Sequence, residues 1–164
     1  MAPERPSQVR RLAIGVVVAY AIDQLTKVWA VATLEGEPSR ELVPGFLSLT
    51  FLRNPGAAFG MGASMTVILS VVSLAVVVVV VRMAARLRDP WWTVGLGLLL
   101  AGALGNLTDR ILREPGVLRG HVVDFIDYGP FVGNVADIYL TVAAVVIVVR
   151  SWQGHALDGT RESR

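Results

Sequence analysis

The sequence contains no cysteine among its 164 residues. This absence excludes a disulfide framework, a thiolate nucleophile and any metal site built on cysteine. Apolar residues are abundant: they make up 54% of the chain, and the mean hydropathy is +0.59. Soluble domains have about 45–50% apolar residues on a similar count, and here the excess is concentrated in long runs. The composition therefore predicts a membrane protein.

Four apolar stretches are long enough to cross a bilayer: residues 12–32, 64–81, 91–108 and 132–149. Each has about 20 residues, which as a helix matches a hydrocarbon core ~30 Å thick. A valine run at 76–81 would suit a strand in water, but a lone strand in lipid cannot satisfy its backbone. An alternative for the first stretch is a cleaved signal peptide, although Asp23 and Lys27 interrupt its apolar region.

Basic residues lie at the ends of the apolar runs, so they fit the positive-inside rule better than a nucleic-acid partner. The N-terminal flank, the connection after the second span and the tail carry more arginines in shorter segments than the other side does. We therefore place both termini in the cytoplasm. Residues 1–150 form a single four-span domain with a short cytoplasmic N-terminal flank, and residues 151–164 form a polar, mobile tail.

The two outer connections are unusual. Residues 46–52 alternate between apolar and polar side chains, which predicts a short strand in a hairpin that rests on the membrane. Glycines and a proline in the following segment, residues 54–62, exclude a regular helix there. Residues 110–131 mix charged and apolar side chains, which indicates an interfacial segment.

Ionisable residues inside spans are costly and indicate function. At ~1.5 Å per residue, Asp23 lies ~16 Å from the cytoplasmic end of its span, and Asp137 lies ~8 Å below the outer end of the fourth. Asp109 and Asp124 fall at the outer interface. Helical spacing groups further polar residues with them: Asn106 with Asp109 and Arg110, Asn134 with Asp137 and Thr141, and Asp23 with Lys27. We expect these three faces to converge on one site.

Two carboxylates at a partly dry interface can share a proton, so that one activates water while the other donates to a carbonyl oxygen. Each group also has a purely structural interpretation. Asp23 and Lys27 can form an intrahelical pair. Asn106, Asp109 and Arg110 can end a helix. Asn134 and Asp137 can cap the fourth helix.

Other chemistries and functions stay open on the residues alone. His121, Asp124 and Asp127 have a spacing that would align three metal ligands on a helix, but no second histidine is near. A dyad of Lys27 with Ser70 or Ser73 is a further alternative. A small proton-coupled transporter would place its carboxylate near the midplane, where only Asp23 approaches. A structural assembly protein would use the polar residues to join helices.

Five segments, in order, resemble the lipoprotein signal peptidase (signal peptidase II) family. Residues 23–27 are similar to its first-helix motif, and residues 54–60 to its N-x-G-A-A-F-G segment. Residues 102–110 are similar to its G-x-x-G-N-x-x-D-R segment. Residues 122–125 and 134–137 are similar to its two catalytic segments. The likeness covers about residues 12–150.

The resemblance implies an intramembrane aspartic endopeptidase with Asp124 and Asp137 as its catalytic dyad. It implies an all-α membrane fold of four transmembrane helices with a small extracytoplasmic β-cradle. The enzyme would be a monomer of the bacterial inner membrane and would need no metal or cofactor. It would cut diacylglyceryl-modified prolipoproteins before the lipidated cysteine, in contact with membrane phospholipid and with no nucleic acid. The residues that would support the dyad or hold substrate are Asp23, Lys27, Asn54, Gly56, Asn106, Asp109, Arg110 and Asn134.

The sequence departs from the family pattern at three positions. Ala101 stands where a glycine is frequent, Gly133 where phenylalanine is common, and Ile138 where a small residue is common. We expect these changes to alter the local geometry around Asn134 and not the dyad itself.

Overall fold

The computed structural model describes residues 7–56 and 62–161. In chain order its elements are α1 (Gln8–Leu34), β1 (Arg40–Val43), β2 (Leu47–Asn54), α2 (Gly62–Ala84), α3 (Pro90–Leu112), β3 (Val122–Asp127), β4 (Val132–Gly133) and α4 (Val135–Trp152). All four helices are long and apolar enough to cross a membrane. The structure confirms the predicted class: four spanning helices with a small sheet.

Short polar side chains determine where the helices begin. The side-chain oxygens of Ser7 and Asp89 accept hydrogen bonds from the backbone N–H groups of Arg10 (3.3 Å) and Trp92 (2.8 Å). These bonds satisfy N–H groups that have no partner within the first turn of a helix. Pro90 follows Asp89 as the first helical residue, where its missing N–H costs nothing.

The fourth helix begins later than the sequence predicts. The apolar run starts at residue 132, but α4 starts at Val135. Residues Val132 and Gly133 instead form β4, which pairs with Asp127 and Ile126 of β3. The prediction was wrong at this boundary because hydropathy does not distinguish the first turn of a span from a strand that packs beside it.

The four strands form one antiparallel sheet in the order β1-β2-β3-β4. Strand β2 confirms the strand predicted at residues 46–52, and β3 lies within the segment predicted to be interfacial. In the register, Leu52 of β2 faces Asp124 of β3, and Asn54 faces Val122. This pairing fixes Asp124 in an inner strand of the sheet.

Helix α3 is the centre of the bundle. In the most apolar 18 residues of α3, 61% are buried. In the corresponding stretches of the other three helices only 11–22% are buried, and these helices expose apolar side chains around the bundle. Small residues let the neighbouring helices approach α3 closely. At Gly102 a Cβ would lie 2.8 Å from the backbone oxygen of Ala136, so any larger residue would displace α4.

Two apolar clusters lie at opposite ends of the bundle. One joins the first residues of α1 and α3 to the last residues of α2, and it contains Leu12, Val16, Val80, Leu87, Trp92, Leu96, Leu100 and Ala101. The other joins the end of α1 to the sheet through Ala30, Leu34, Val123 and Phe125. The described arginines of the N-terminal flank, of the connection after α2 and of the end of α4 therefore lie at the end away from the sheet: Arg10, Arg11, Arg82, Arg86, Arg88 and Arg150.

The described part of the tail, residues 151–161, is not a free segment. The indole N–H of Trp92 donates to the backbone oxygen of His155 (2.8 Å). The backbone N–H groups of Arg88 and Asp89 both donate to the backbone oxygen of Leu157 (2.9 and 3.1 Å). The sequence did not predict these contacts, which join His155 and Leu157 to the residues around the start of α3.

Candidate active site

Asp124 lies on β3 and is only 2% exposed. Its two carboxylate oxygens accept hydrogen bonds from the side-chain amides of Asn54 (2.7 Å) and Asn134 (2.5 Å). Burial raises the pKa of the Asp124 carboxyl to about 6; the hydrogen bond from Asn54 opposes this shift, and the charge of Asp137 adds to it. A carboxyl with this pKa can hold or release a proton near neutral pH.

Asp137 lies in the first turn of α4 and is partly exposed. Its Oδ2 accepts a hydrogen bond from the backbone N–H of Asn134 (3.0 Å), while the side chain of Asn134 accepts one from the backbone N–H of Asp137 (3.2 Å). This reciprocal pair is a capping box. The Oδ1 of Asp137 accepts a hydrogen bond from Asn106 of α3 (3.0 Å). Asp137 therefore caps helix α4 and also takes part in the polar cluster with Asn106.

Asn134 joins the two carboxylates. Its Nδ2 donates to Asp124, its backbone N–H donates to Asp137, and the same Nδ2 lies 3.3 Å from Oδ1 of Asn106. Because β4 ends at Gly133 and α4 begins at Val135, Asn134 stands between sheet and bundle. One residue thus holds a strand carboxylate and a helix carboxylate around a common point.

Lys27 is fully buried and meets three acceptors, one for each hydrogen of its ammonium group. These are Oδ2 of Asp23 (3.1 Å), Oδ2 of Asp109 (3.0 Å) and Oδ1 of Asn106 (2.9 Å). The predicted intrahelical ion pair between Asp23 and Lys27 therefore forms, and it is also part of a link between α1 and α3. A buried cation is tolerated only with such complete pairing.

Asp23 carries this link on to α4. Its Oδ1 accepts a hydrogen bond from the backbone N–H of Ala136 (3.0 Å), in the first turn of α4, where carboxylates are favoured. Gly105 of α3 leaves room for this contact, since a Cβ there would lie 2.3 Å from Oδ2 of Asp23. Asp23 thus positions the start of the helix that bears Asp137.

Asp109 ties α3 to the sheet. Its Oδ2 accepts from the backbone N–H of Val123 (3.2 Å), beside Asp124, and its Oδ1 accepts from Nε of Arg113 (2.7 Å). Asp109 therefore has two cationic partners, Lys27 and Arg113, and is hydrogen-bonded to the backbone of β3. Its position indicates a structural support for Asp124.

A cavity of about 330 Å³ lies between α2, α3 and α4. Its polar lining residues are Ser73, Asn106, Arg110 and Asp137, and the rest of its lining is apolar. Arg110 is 7% exposed, and its Nη1 is buried without a hydrogen-bond partner in the described part of the chain. The cavity therefore offers an apolar channel with a carboxylate and a cation at its wall.

Part of the glycine-rich segment is visible. Asn54, at the end of β2, uses its Oδ1 to accept a hydrogen bond from the backbone N–H of Gly56 (2.8 Å). Gly56 has φ +95°, a conformation that side chains with a Cβ rarely adopt. The hydroxyl of Thr66 in α2 donates to the backbone oxygen of Pro55. The remainder of the segment, residues 57–61 with Gly60, lies outside the described residues.

The alternative chemistries do not assemble. A strand sends residues three apart to opposite faces, so Asp127 points away from Asp124 and instead accepts from Thr50 (2.9 Å). Within residues 7–56 and 62–161, no three histidine or acidic residues are placed to hold a metal ion. Ser70 donates to the backbone oxygens of Thr66 and Leu118, whereas Lys27 binds Asp23, Asp109 and Asn106, so each side chain is engaged with other partners.

The structure shows the surroundings of the three residues that depart from the family pattern. At Gly133 a Cβ would lie 3.0 Å from Oδ2 of Asp137 and 3.4 Å from the ring of Phe131, so glycine leaves space beside the carboxylate. Ala101 is fully buried in the core around α3, and Ile138 faces outward with 41% exposure. The hydroxyl of Thr141, which shares a predicted face with Asp137, donates to the backbone oxygen of Asp137 (2.9 Å) and not to its carboxylate.

The set of site residues predicted from the sequence did not include three residues that contribute to the site. Gln24 donates to Asp23 (3.0 Å) and to the backbone oxygen of Gly105 (3.2 Å). Arg113 pairs with Asp109 across one helical turn, a spacing that could have identified it. Gly105 and Gln24 lie within the motif segments at residues 102–110 and 23–27, but the contact between them depends on how α1 meets α3.

Known proteins share both the sequence and the fold. The family model described as "Signal peptidase (SPase) II" matches residues 15–153. The chain is 48% identical to a lipoprotein signal peptidase of Rhodococcus jostii, over 98% of this chain and 83% of that protein. It is 45% identical to one of Streptomyces coelicolor, over 97% and 80%. A solved bacterial membrane enzyme superposes with a TM-score of 0.72 at 31% identity, covering 86% of this chain and 92% of that chain.

Proposed function

Because the chain belongs to the signal peptidase II family, we propose that it is an aspartic endopeptidase that removes signal peptides from diacylglyceryl-modified prolipoproteins. Membership makes it a lipoprotein signal peptidase, and with four spanning helices it is a protein of the bacterial inner membrane. The finer proposal is that Asp124 and Asp137 form the dyad and that cleavage occurs before the lipidated cysteine.

The observation that carries the proposal is the link through Asn134, which brings the carboxylates of Asp124 and Asp137 to one point. Their environments differ: Asp124 is buried and has a raised pKa, whereas Asp137 is partly exposed at the cavity. Paired carboxyls in unequal environments are what acid–base catalysis by a dyad requires.

The reaction follows from this pairing. One carboxylate takes a proton from a water molecule as the water attacks the scissile carbonyl. The other, protonated, carboxyl donates its proton to the carbonyl oxygen, so the tetrahedral intermediate is not left with a charge in an apolar site. Collapse of the intermediate breaks the C–N bond: the carboxyl that took the proton from water gives it to the leaving amine, and the other carboxylate takes back a proton from a hydroxyl of the intermediate as the new carboxyl group forms. The dyad then returns to its starting, singly protonated state.

The cavity fits the chemistry of this substrate. A signal peptide is an apolar helix, so it can lie against the apolar walls formed by α2, α3 and α4 while its cleavage point meets Asp137. The acyl chains of the substrate can stay in lipid. The Nη1 of Arg110, which has no hydrogen-bond partner in residues 7–56 and 62–161, is a donor available to a backbone or headgroup oxygen of the substrate.

We assign the remaining polar residues to support. Asn54, Asn106 and Asn134 orient the dyad through direct hydrogen bonds. Asp23, Lys27 and Asp109 hold the three elements that carry it. Gly56 gives the loop after β2 its turn. The sheet is the β-cradle on the outer face, both termini are cytoplasmic, and the enzyme works as a monomer in contact with phospholipid and without metal or cofactor.

The substrate class can be tested with a gel-shift cleavage assay. We expect the purified protein in detergent to cut a diacylglyceryl-modified prolipoprotein and to leave the unlipidated form of the same protein intact, because the lipid anchors the cleavage point at the interface. Equal cleavage of both forms would contradict the substrate assignment. No cleavage by a folded protein, together with proton-driven uptake in vesicles, would favour the transporter. Its candidate carboxylate, Asp23, is however already bound to Lys27 and α4.

The pH dependence of cleavage should show the raised pKa of Asp124. The dyad needs one proton, and the protonated fraction of Asp124 falls as the pH rises through about 6. We therefore expect kcat to fall on the alkaline side, with an apparent pKa near that value that belongs to the pair. The hydrogen bond from Asn54 lowers this pKa, so Asn54→Leu should move the alkaline limb to higher pH. A limb that moves to lower pH in this variant would contradict the assignment.

A further inference from the structure

A second cavity lies at the opposite end of the bundle from the dyad. It is a groove of about 320 Å³ between α1 and α3. On α3 its lining runs from Pro90 to Leu98, a distance of ~12 Å along the helix axis. The groove therefore begins where the two helices begin, at the membrane interface, and descends into the apolar layer. Its volume is within the range of small-molecule sites.

The groove is apolar in its depth and cationic at its mouth. Leu12, Val94 and Leu98 line the depth, and Arg11 lies at the mouth. The side chain of Arg11 makes no hydrogen bond or ion pair with residues 7–56 or 62–161. At Gly15 a Cβ would meet no atom within 4 Å, so the open space there is not filled by a neighbouring helix.

A polar depression of about 420 Å³ adjoins the groove, and the two share Gln8. Ser7 and Arg88 line the depression. The Oε1 of Gln8 accepts a hydrogen bond from Thr93 (3.0 Å), which leaves the Nε2 group of Gln8 as a donor at the boundary. Of the two arginines that line these cavities, only Arg11 lines the apolar groove, and Arg88 lines the depression.

We propose that the α1–α3 groove with its adjoining depression binds one anionic phospholipid, with an acyl chain in the groove and the phosphate between Arg11 and Gln8. The three parts of such a lipid match an apolar channel, a cation with no partner among the described residues, and a depression whose polar lining is Ser7, Gln8 and Arg88. Basic pockets between helices at the cytoplasmic face are where acidic headgroups bind. The site does not depend on the proposed peptidase function.

A neighbouring groove lacks this combination. It lies between α3 and α4, has a volume of about 310 Å³ and contains Arg150 at its mouth. Arg150 is already paired with Asp89 and bonded to Gln153. The charge of Arg150 is therefore neutralised within the protein. The groove between α3 and α4 could hold an acyl chain, but it would not favour a lipid with an anionic headgroup.

The test is a titration of the purified full chain in detergent with phosphatidylglycerol or phosphatidylcholine, read by native mass spectrometry. We expect one phosphatidylglycerol to bind about fivefold more tightly than phosphatidylcholine, the effect of about one arginine near the surface. Arg11→Gln should remove this preference. The matched control Arg10→Gln, which removes the same charge from a residue that lines neither cavity, should keep it.

A second variant tests the groove itself. Gly15→Leu places a side chain in the open space without a clash and should weaken binding of both lipids equally. Glycerol phosphate should fail to compete, because it lacks the acyl chain. Equal binding of the two lipids by the wild type, equal effects of the two arginine variants, or unchanged binding by Gly15→Leu would each overturn the proposal. Loss of a dimer in Gly15→Leu, with lipid binding unchanged, would assign the groove to a second copy. Cleavage of prolipoprotein should persist in Arg11→Gln, which separates this result from the peptidase assignment.

Discussion

Replacing either Asp124 or Asp137 with asparagine should reduce prolipoprotein cleavage by at least about 10²–10⁴-fold, the usual contribution of a positioned acid or base. Asparagine keeps the size of the side chain but cannot take or give the proton. The reduction should appear in kcat, because each variant still has the cavity and Arg110. The measurement is single-turnover cleavage of the lipidated substrate, with binding of the uncleaved substrate measured in parallel.

The two variants also place an amide where the structure has two donors. Asn54 and Asn134 both donate to Asp124, and Asn106 and the backbone of Asn134 both donate to Asp137. One donor in each site would then face an amide NH₂ group, so folding must be checked by thermal melting.

Asp127→Asn is the matched control. Asp127 accepts from Thr50 and from the backbone N–H of Gly129 (2.8 Å), and the hydroxyl of Thr50 can also accept. We expect near-normal cleavage from this variant. Normal turnover by Asp124→Asn or Asp137→Asn, or an inactive Asp127→Asn, would refute the dyad assignment.

Lys27→Met should cause the largest loss of stability. The substitution removes the only cation bound to Asp23 among the described residues and leaves Asn106 with one donor fewer. Removing one partner of a buried ion pair costs about 3–5 kcal/mol, since the remaining charge stays buried. Thermal melting in detergent, at fixed pH and detergent concentration, measures the loss.

A second substitution distinguishes lost pairing from lost packing. Asp109 keeps Arg113 as a partner, so Asp23 is the carboxylate left unpaired. Asp23→Asn in the Lys27→Met background removes that unpaired charge and can still accept from the backbone N–H of Ala136. We expect the double variant to melt above Lys27→Met, in a double-mutant cycle with clear coupling. Additive losses would show that Lys27 acts through its packing alone.

Much of the fold was accessible from the sequence because lipid limits the alternatives. Runs of about 20 apolar residues can only be helices in a bilayer. The alternating pattern at residues 46–52 gave β2, whose bounds are Leu47–Asn54. Depth and helical spacing also predicted that the polar faces bearing Asp23, Asp109 and Asp137 converge, and the structure brings these side chains into one network.

The remainder depends on contacts between elements that no local pattern encodes. The sequence suggested Lys27 as a partner for Asp23 one turn away, but not that Asp109 and Asn106 of α3 complete its coordination. It gave no sign that residues 132–133 leave the helix to pair with β3. The role of Asn134 could not be predicted, because it depends on two features together: the start of α4 at Val135 and the strand that brings Asp124 beside it.

The cavity wall formed by α2 has a consequence for how such enzymes diverge. Among the described side chains, the dyad and its supports come from α1, α3, α4 and the sheet, while α2 contributes Leu69, Val72, Ser73 and Val76 to the cavity alone. Exchanging those residues alters the shape offered to a signal peptide and leaves every hydrogen bond of the dyad in place. If the proposed dyad and cavity are correct, we expect substitutions on the α2 wall to change which signal peptides are cut and to leave the rate of the chemical step unchanged.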